Sequence, residues 1–152
     1  MRGDDSVRQR RGRFLLAVLW FDLMFDVQAL GRDGAQLGEQ QLASIAAYYA
    51  RVTTAARPMN RLIVAVMLGT LVAIVVEISD GAVPDAVAWV SLLLAAMPIV
   101  LVGVRTVPAA VRLGTRGDSV DRQRALARSV LHEHIFCFVS IAALIALQLS
   151  CS

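Results

Sequence analysis

Four long apolar stretches divide the chain, at residues 14–30, 62–78, 86–104 and 135–149, the last with a helical lead-in from residue 125. Each approaches the roughly 20 residues that a helix needs to cross a hydrocarbon layer of about 30 Å. The second stretch, LIVAVMLGTLVAIVVEI, has a single charge, Glu77, at its far end. Pro58 precedes it, in a first-turn position where a proline gives up no intrahelical hydrogen bond. In the third stretch Pro98 falls at mid-depth, removes one backbone donor and predicts a kink. Gly69 with Ala73, and Ala142 with Ala146, place small residues four apart, a spacing that permits close helix approach.

Residues 37–57 have a different period. Leu42, Ile45, Tyr49, Val52 and Ala56 recur at three- and four-residue intervals, and Gln40, Ser44, Arg51 and Thr54 fall opposite them. This predicts an amphipathic helix that either lies at the membrane interface or completes the bundle. The expected fold is therefore all-α: a polytopic transmembrane bundle of four helices plus one amphipathic helix, with a basic tail over residues 1–13 and one domain over 14–150.

Composition agrees with this pattern. Of the 152 residues, 57% are hydrophobic, and the mean hydropathy is +0.63, well above a soluble domain's usual content of about 45–50% apolar residues. The 15 basic residues are all arginine, which suggests a GC-rich bacterial genome and hence the inner membrane. A pI near 9.5 raises the question of nucleic acid. A nucleic-acid binder gathers arginine on a solvated face, whereas these arginines flank apolar runs, so none is expected as a partner. The bilayer itself is the expected partner, with a second copy or another membrane protein beside it. Cys137 and Cys151 are 14 residues apart, about 21 Å along one helix, too far to bridge each other within it. The first stretch resembles a signal peptide ending at Val27-Gln28-Ala29, but Asp22 and Asp26 interrupt it, so no cleavage is expected.

Arginine asymmetry orients the helices. Residues 79–85 contain two aspartates and no arginine, whereas residues 105–128 contain six arginines and are expected to be cytoplasmic. The N-terminal run RQRRGR also argues for the cytoplasm, as do Arg51, Arg57 and Arg61. Both hold only if the amphipathic segment crosses the membrane, giving five crossings. Four crossings put the N-terminus outside.

The chemistry-bearing candidates are few. Asp22 and Asp26, four apart, share one helix face, and a carboxylate within a membrane segment needs a partner, a proton or water. They form a candidate intramembrane polar site with Arg51, the expected ion-pair partner, and His132 as the alternative. In His132-Glu133-His134 the two histidines point about 200° apart on a helix and cannot easily hold one ion. Glu133 is placed to pair with a cytoplasmic-side arginine. Arg57, Arg61 and Arg105 are candidate contacts for anionic lipid headgroups. No metal or cofactor is expected, and the sequence contains no Gly-rich phosphate loop, Gly-x-Ser-x-Gly, HExxH or paired CxxC.

The order PMNRLIVAVML, then TVPAAVRL, then RALARSVLHEHIFCFVSIAALIALQL resembles the small four-helix bacterial membrane proteins of the anthrone-oxygenase-like family. The resemblance spans most of the chain and rests on a proline after the third helix and an arginine-bearing start to the fourth. It implies a four-helix fold and a cofactor-independent oxygenation of a lipophilic aromatic. The residues themselves point first to a binding or accessory membrane subunit, then to a membrane-embedded enzyme or a proton- or cation-coupled transporter.

Overall fold

A computed structural model describes residues 2–30, 37–55, 57–81 and 83–150, with the side chains of 2–11 and 57–59 outside the described set. Six α-helices account for most of it: α1 (Arg2–Asp26), α2 (Glu39–Thr54), α3 (Arg57–Asp80), α4 (Asp85–Leu101), α5 (Val107–Thr115) and α6 (Val120–Ser150). A 3-10 turn, Val27–Leu30, ends α1, and a π-turn, Val102–Thr106, joins α4 to α5. No strand occurs among the described residues.

Three helices are long and apolar enough to cross a membrane: Asn60–Asp80, Asp85–Thr115 and Val120–Ser150. The fourth expected span, on α1, does not meet the same measure, because its arginines up to Arg13 and the carboxylates Asp22 and Asp26 bracket too short a neutral run. Burial is inverted relative to a water-soluble helix. Only 11% of the most apolar window of α3 is buried, and Val64, Leu68 and Val72 are exposed. In water each such side chain would forfeit about 1.5–3 kcal/mol of burial; in lipid it forfeits none. The protein is a helical membrane bundle.

The long helices run antiparallel. Gly12 lies against Ile145, and a Cβ there would stand 2.8 Å from its side chain, while Asp26 meets His134, so α1 descends as α6 rises. Gly81, at φ +61°, ends α3 in the left-handed region that glycine enters freely, and α4 returns after a short turn. Ile74, Ala95 and Leu144 form a small core in which α3, α4 and α6 meet.

The larger core lies at the other end. Leu37, Leu42, Ile45, Tyr49, Leu113 and Val130 pack there among other buried residues. Arg105 is 20 residues past Asp85, about 30 Å along the helix and thus one hydrocarbon thickness. The amphipathic α2 packs on α5 and the first turns of α6. Its buried face, Leu42, Ile45, Ala46 and Tyr49, is the face that the three- and four-residue spacing selects, with Gln40, Ser44 and Arg51 outward. Gly114 permits the approach: a Cβ there would stand 2.8 Å from the backbone nitrogen of Ala50. Arg124 Nε donates to Leu37 O at 2.9 Å, Arg116 pairs with Glu39, and Asn60 Nδ2 donates to Val52 O at 2.9 Å. These contacts fix both ends of α2, forming a cap.

The expected irregularity at Pro98 is displaced. Pro98 sits inside regular α4, buried, and the helix widens only at Val102–Thr106. A π-turn shifts the phase of the side chains after it, and here it turns Thr106 inward and leaves Arg105 exposed.

Candidate functional site: a buried carboxylate–histidine–tyrosine centre

Where α1, α2 and α6 converge, four titratable side chains meet a fifth. Asp26, 1% exposed, accepts from Tyr49 Oη on Oδ1 at 2.6 Å. His134 Nδ1 lies 2.5 Å from the other oxygen, Oδ2. With the carboxylate ionised, Nδ1 is the donor and carries the ring proton. Four residues back, Asp22 accepts from Tyr48 Oη. The phenol rings of Tyr48 and Tyr49 meet edge to face at 5.3 Å, and Phe25 stacks on Tyr48 at 4.1 Å. Each element supplies its group for a local reason. The four-residue spacing of α1 puts both carboxylates on one face, the inward face of α2 carries Tyr49, and α6 turns His134 toward α1.

The partner of the carboxylates differs from the expected one. Arg51 lies on the exposed face of α2 and His132 on the exposed face of α6, and neither reaches Asp22 or Asp26. Helical phase explains both corrections. Arg51 is two residues past Tyr49, about 200° round the helix, and His132 is displaced from His134 by the same angle. Tyr48 and Tyr49, not singled out as donors in the sequence, fill that role, and His134 is the imidazole. A signal for Tyr49 was present in the spacing. It shares the apolar face of α2 with Leu42 and Ile45, and a buried phenol needs an acceptor.

Glu133 turns to the neighbouring groove and builds a second polar group. Its Oε2 accepts from Thr106 Oγ1 at 2.8 Å and its Oε1 from Ser129 Oγ at 2.8 Å. Arg105 Nε stands 3.4 Å from Oε1, which supplies the arginine partner expected for Glu133. Beside it, a cavity of about 350 Å³ opens between α5 and α6, lined by Arg105, Arg112, Arg122, Leu126, Ser129 and Glu133 among others. Arg112 is held by Asp118 through Nε to Oδ2 at 3.1 Å and Nη2 to Oδ1 at 2.5 Å. That hydrogen-bonded guanidinium keeps the Asp118 carboxyl below the usual carboxylate range.

The remaining candidates scatter. Arg61 is exposed beside a hollow of about 400 Å³ lined, among the described residues, by α3. The side chain of Arg57 and all of Cys151 lie outside the described residues; Cys137 is buried and free. Trp20 is 58% exposed and meets Phe138, with 6.3 Å between ring centres. Among the described residues no group of three or more His, Cys, Asp or Glu side chains is placed to hold a metal ion.

No protein-family model, no curated protein and no solved structure matches the chain.

Proposed function

We propose that this chain is a small multi-pass protein of the bacterial inner membrane that acts by binding, as an accessory or structural subunit. It crosses the bilayer four times, on α1, α3, α4 with α5, and α6, and carries α2 with the projecting turns of α5 and α6 as a cytoplasmic cap. Nine arginines lie at the cap end along the described helices and their turns, at positions 51, 57, 61, 105, 112, 116, 122, 124 and 128, against five at the other end, at 2, 8, 10, 11 and 13. The excess favours the cap as the cytoplasmic end and the N-terminus outside.

One observation carries the binding reading: the buried centre is closed. Both Asp26 oxygens and one Asp22 oxygen accept from side chains of the protein itself. Neither the cavity between α5 and α6 nor the hollow on α3 is lined by Asp22, Asp26, Tyr48, Tyr49 or His134. A centre whose polar groups are taken up by one another acts as a polar lock that joins α1, α2 and α6 beneath the cap. The enzyme reading is favoured by one detail. Asp26 occupies Nδ1 of His134, and Nε2 meets no hydrogen-bonding partner among the described residues, which is the arrangement of a general base.

Diethyl pyrocarbonate modification in lipid nanodiscs, read site by site by mass spectrometry, separates the two. The binding reading expects His132 to react and His134 to be protected until the protein unfolds. Modification of His134 as fast as His132 in the folded protein would contradict it and support an open, catalytic imidazole.

A further inference from the structure

We propose that the cavity between α5 and α6 is a binding site for a phosphate-bearing anion, held by Arg105 and Arg122 at the membrane boundary. This deepens the binding reading by giving it a ligand class. The volume of about 350 Å³ lies within the roughly 300–1,000 Å³ typical of small-ligand pockets. Three arginines from three separate elements line it: Arg105 from the π-turn, Arg112 from α5 and Arg122 from α6. Guanidinium forks match the oxygens of a phosphate, and basic pockets at the cytoplasmic side of membrane helices suit anionic headgroups.

The three arginines are not equally committed. Arg112 is fixed by both oxygens of Asp118 and acts as a wall of set charge. Arg122 makes no side-chain hydrogen bond among the described residues, and its backbone nitrogen donates to Ser119 Oγ at 3.4 Å. Arg105 is the adaptable one. Its contact with Glu133 is long, at 3.4 Å, and its side chain is 65% exposed. Glu133 does not depend on it, because each of its oxygens already accepts from a hydroxyl, Thr106 or Ser129. Arg105 can therefore turn to an incoming anion without orphaning the carboxylate. Counting Glu133 and Asp118 against the three arginines leaves one net positive charge beside an apolar floor of Pro108, Ala109 and Leu126. That floor suits the carbon atoms next to an esterified phosphate. The depth is also right: Arg105 stands one hydrocarbon thickness from Asp85 along the helix, and Val104 and Val107 on either side of it are exposed apolar side chains.

The test uses the full chain in nanodiscs of phosphatidylcholine alone and of phosphatidylcholine with one-fifth phosphatidylglycerol, and counts retained lipids by native mass spectrometry. The expected result is selective retention of phosphatidylglycerol, reduced at least five-fold in Arg122→Gln and further in Arg105→Gln with Arg122→Gln. Arg61→Gln, at the α3 hollow, is expected to retain it. Arg122→Gln removes no side-chain hydrogen bond of the fold, and its melting temperature in phosphatidylcholine checks that it is folded. Inorganic phosphate added in detergent, read as a thermal shift that Arg122→Gln abolishes, would assign the site to a soluble phosphate instead of a headgroup. Absence of both phosphatidylglycerol selectivity and a phosphate shift in the folded wild-type protein, or equal retention by wild type and the double variant, overturns the proposal. His134 protection is read independently, so loss of the ligand and loss of the closed centre are distinguishable.

Discussion

Asp26 and His134, 108 residues apart in sequence, meet at 2.5 Å and tie the end of α1 to the middle of α6. Both are buried, and Tyr49 of α2 closes the second carboxylate oxygen at 2.6 Å. A charged pair in such a place is not a free gain in stability, since its desolvation offsets much of its attraction. What it supplies is definition. Removing either partner leaves the other buried without compensation, so alternative packings of three helices that lack the pair are penalised.

The two tyrosines are expected to differ. Tyr49→Phe strips a buried donor from Asp26 and leaves Oδ1 unsatisfied, with a loss of about 1–3 kcal/mol. Tyr48→Phe acts on Asp22, which is only partly buried and can recruit water, and the loss is expected to be smaller. Thermal unfolding of the two variants in the same detergent checks the order.

Gly114→Ala places a methyl group 2.8 Å from the Ala50 nitrogen, against backbone that cannot swing away. Overpacking of this kind costs about 1–3 kcal/mol, and α2 is expected to lift from α5. Gly117→Ala, where the nearest atom is Thr115 Oγ1 at 3.9 Å, is the control. Limited proteolysis within residues 39–54 should accelerate in the first variant and remain unchanged in the second.

Orientation is checked by fusions. Alkaline phosphatase joined after residue 150 is expected to be active and after residue 116 inactive, because activity requires export. The reverse pattern inverts the bundle and moves the arginine-rich cap to the outside.

Much of the scaffold was legible from hydrophobic period alone. The apolar stretches 62–78, 86–104 and 135–149 lie within helices that can cross a membrane, and the buried face of α2 is the one its spacing selects. Two features were not legible and a third only in part, each for a physical reason. The six arginines of 105–128 marked the cap end, but the packing of α2 onto α5 and α6 joins residues far apart in sequence, which no local pattern records. The π-turn at Val102–Thr106 follows Pro98 at a distance and has no residue signature of its own. The site was half legible: the cost of unpaired carboxylates singled out Asp22 and Asp26, and the 200° offset separated His132 from His134. Which histidine turns inward, however, depends on the packing of α6 against α1, a contact between residues far apart in sequence. The preference for Arg51 came from charge, but a buried carboxylate can equally be satisfied by a phenol that costs less to bury.

The most direct measurement is a double-mutant cycle on Asp26→Asn and His134→Gln, with unfolding free energies from sodium dodecyl sulfate titration in mixed micelles. If the pair is the lock between α1 and α6, each single variant loses about 3–5 kcal/mol, and the double variant loses little more than either. The coupling energy then approaches the size of one single loss, about 3–5 kcal/mol. Losses that simply add, with no coupling, would contradict the pairing of Asp26 with His134 and with it the closed centre on which the account rests.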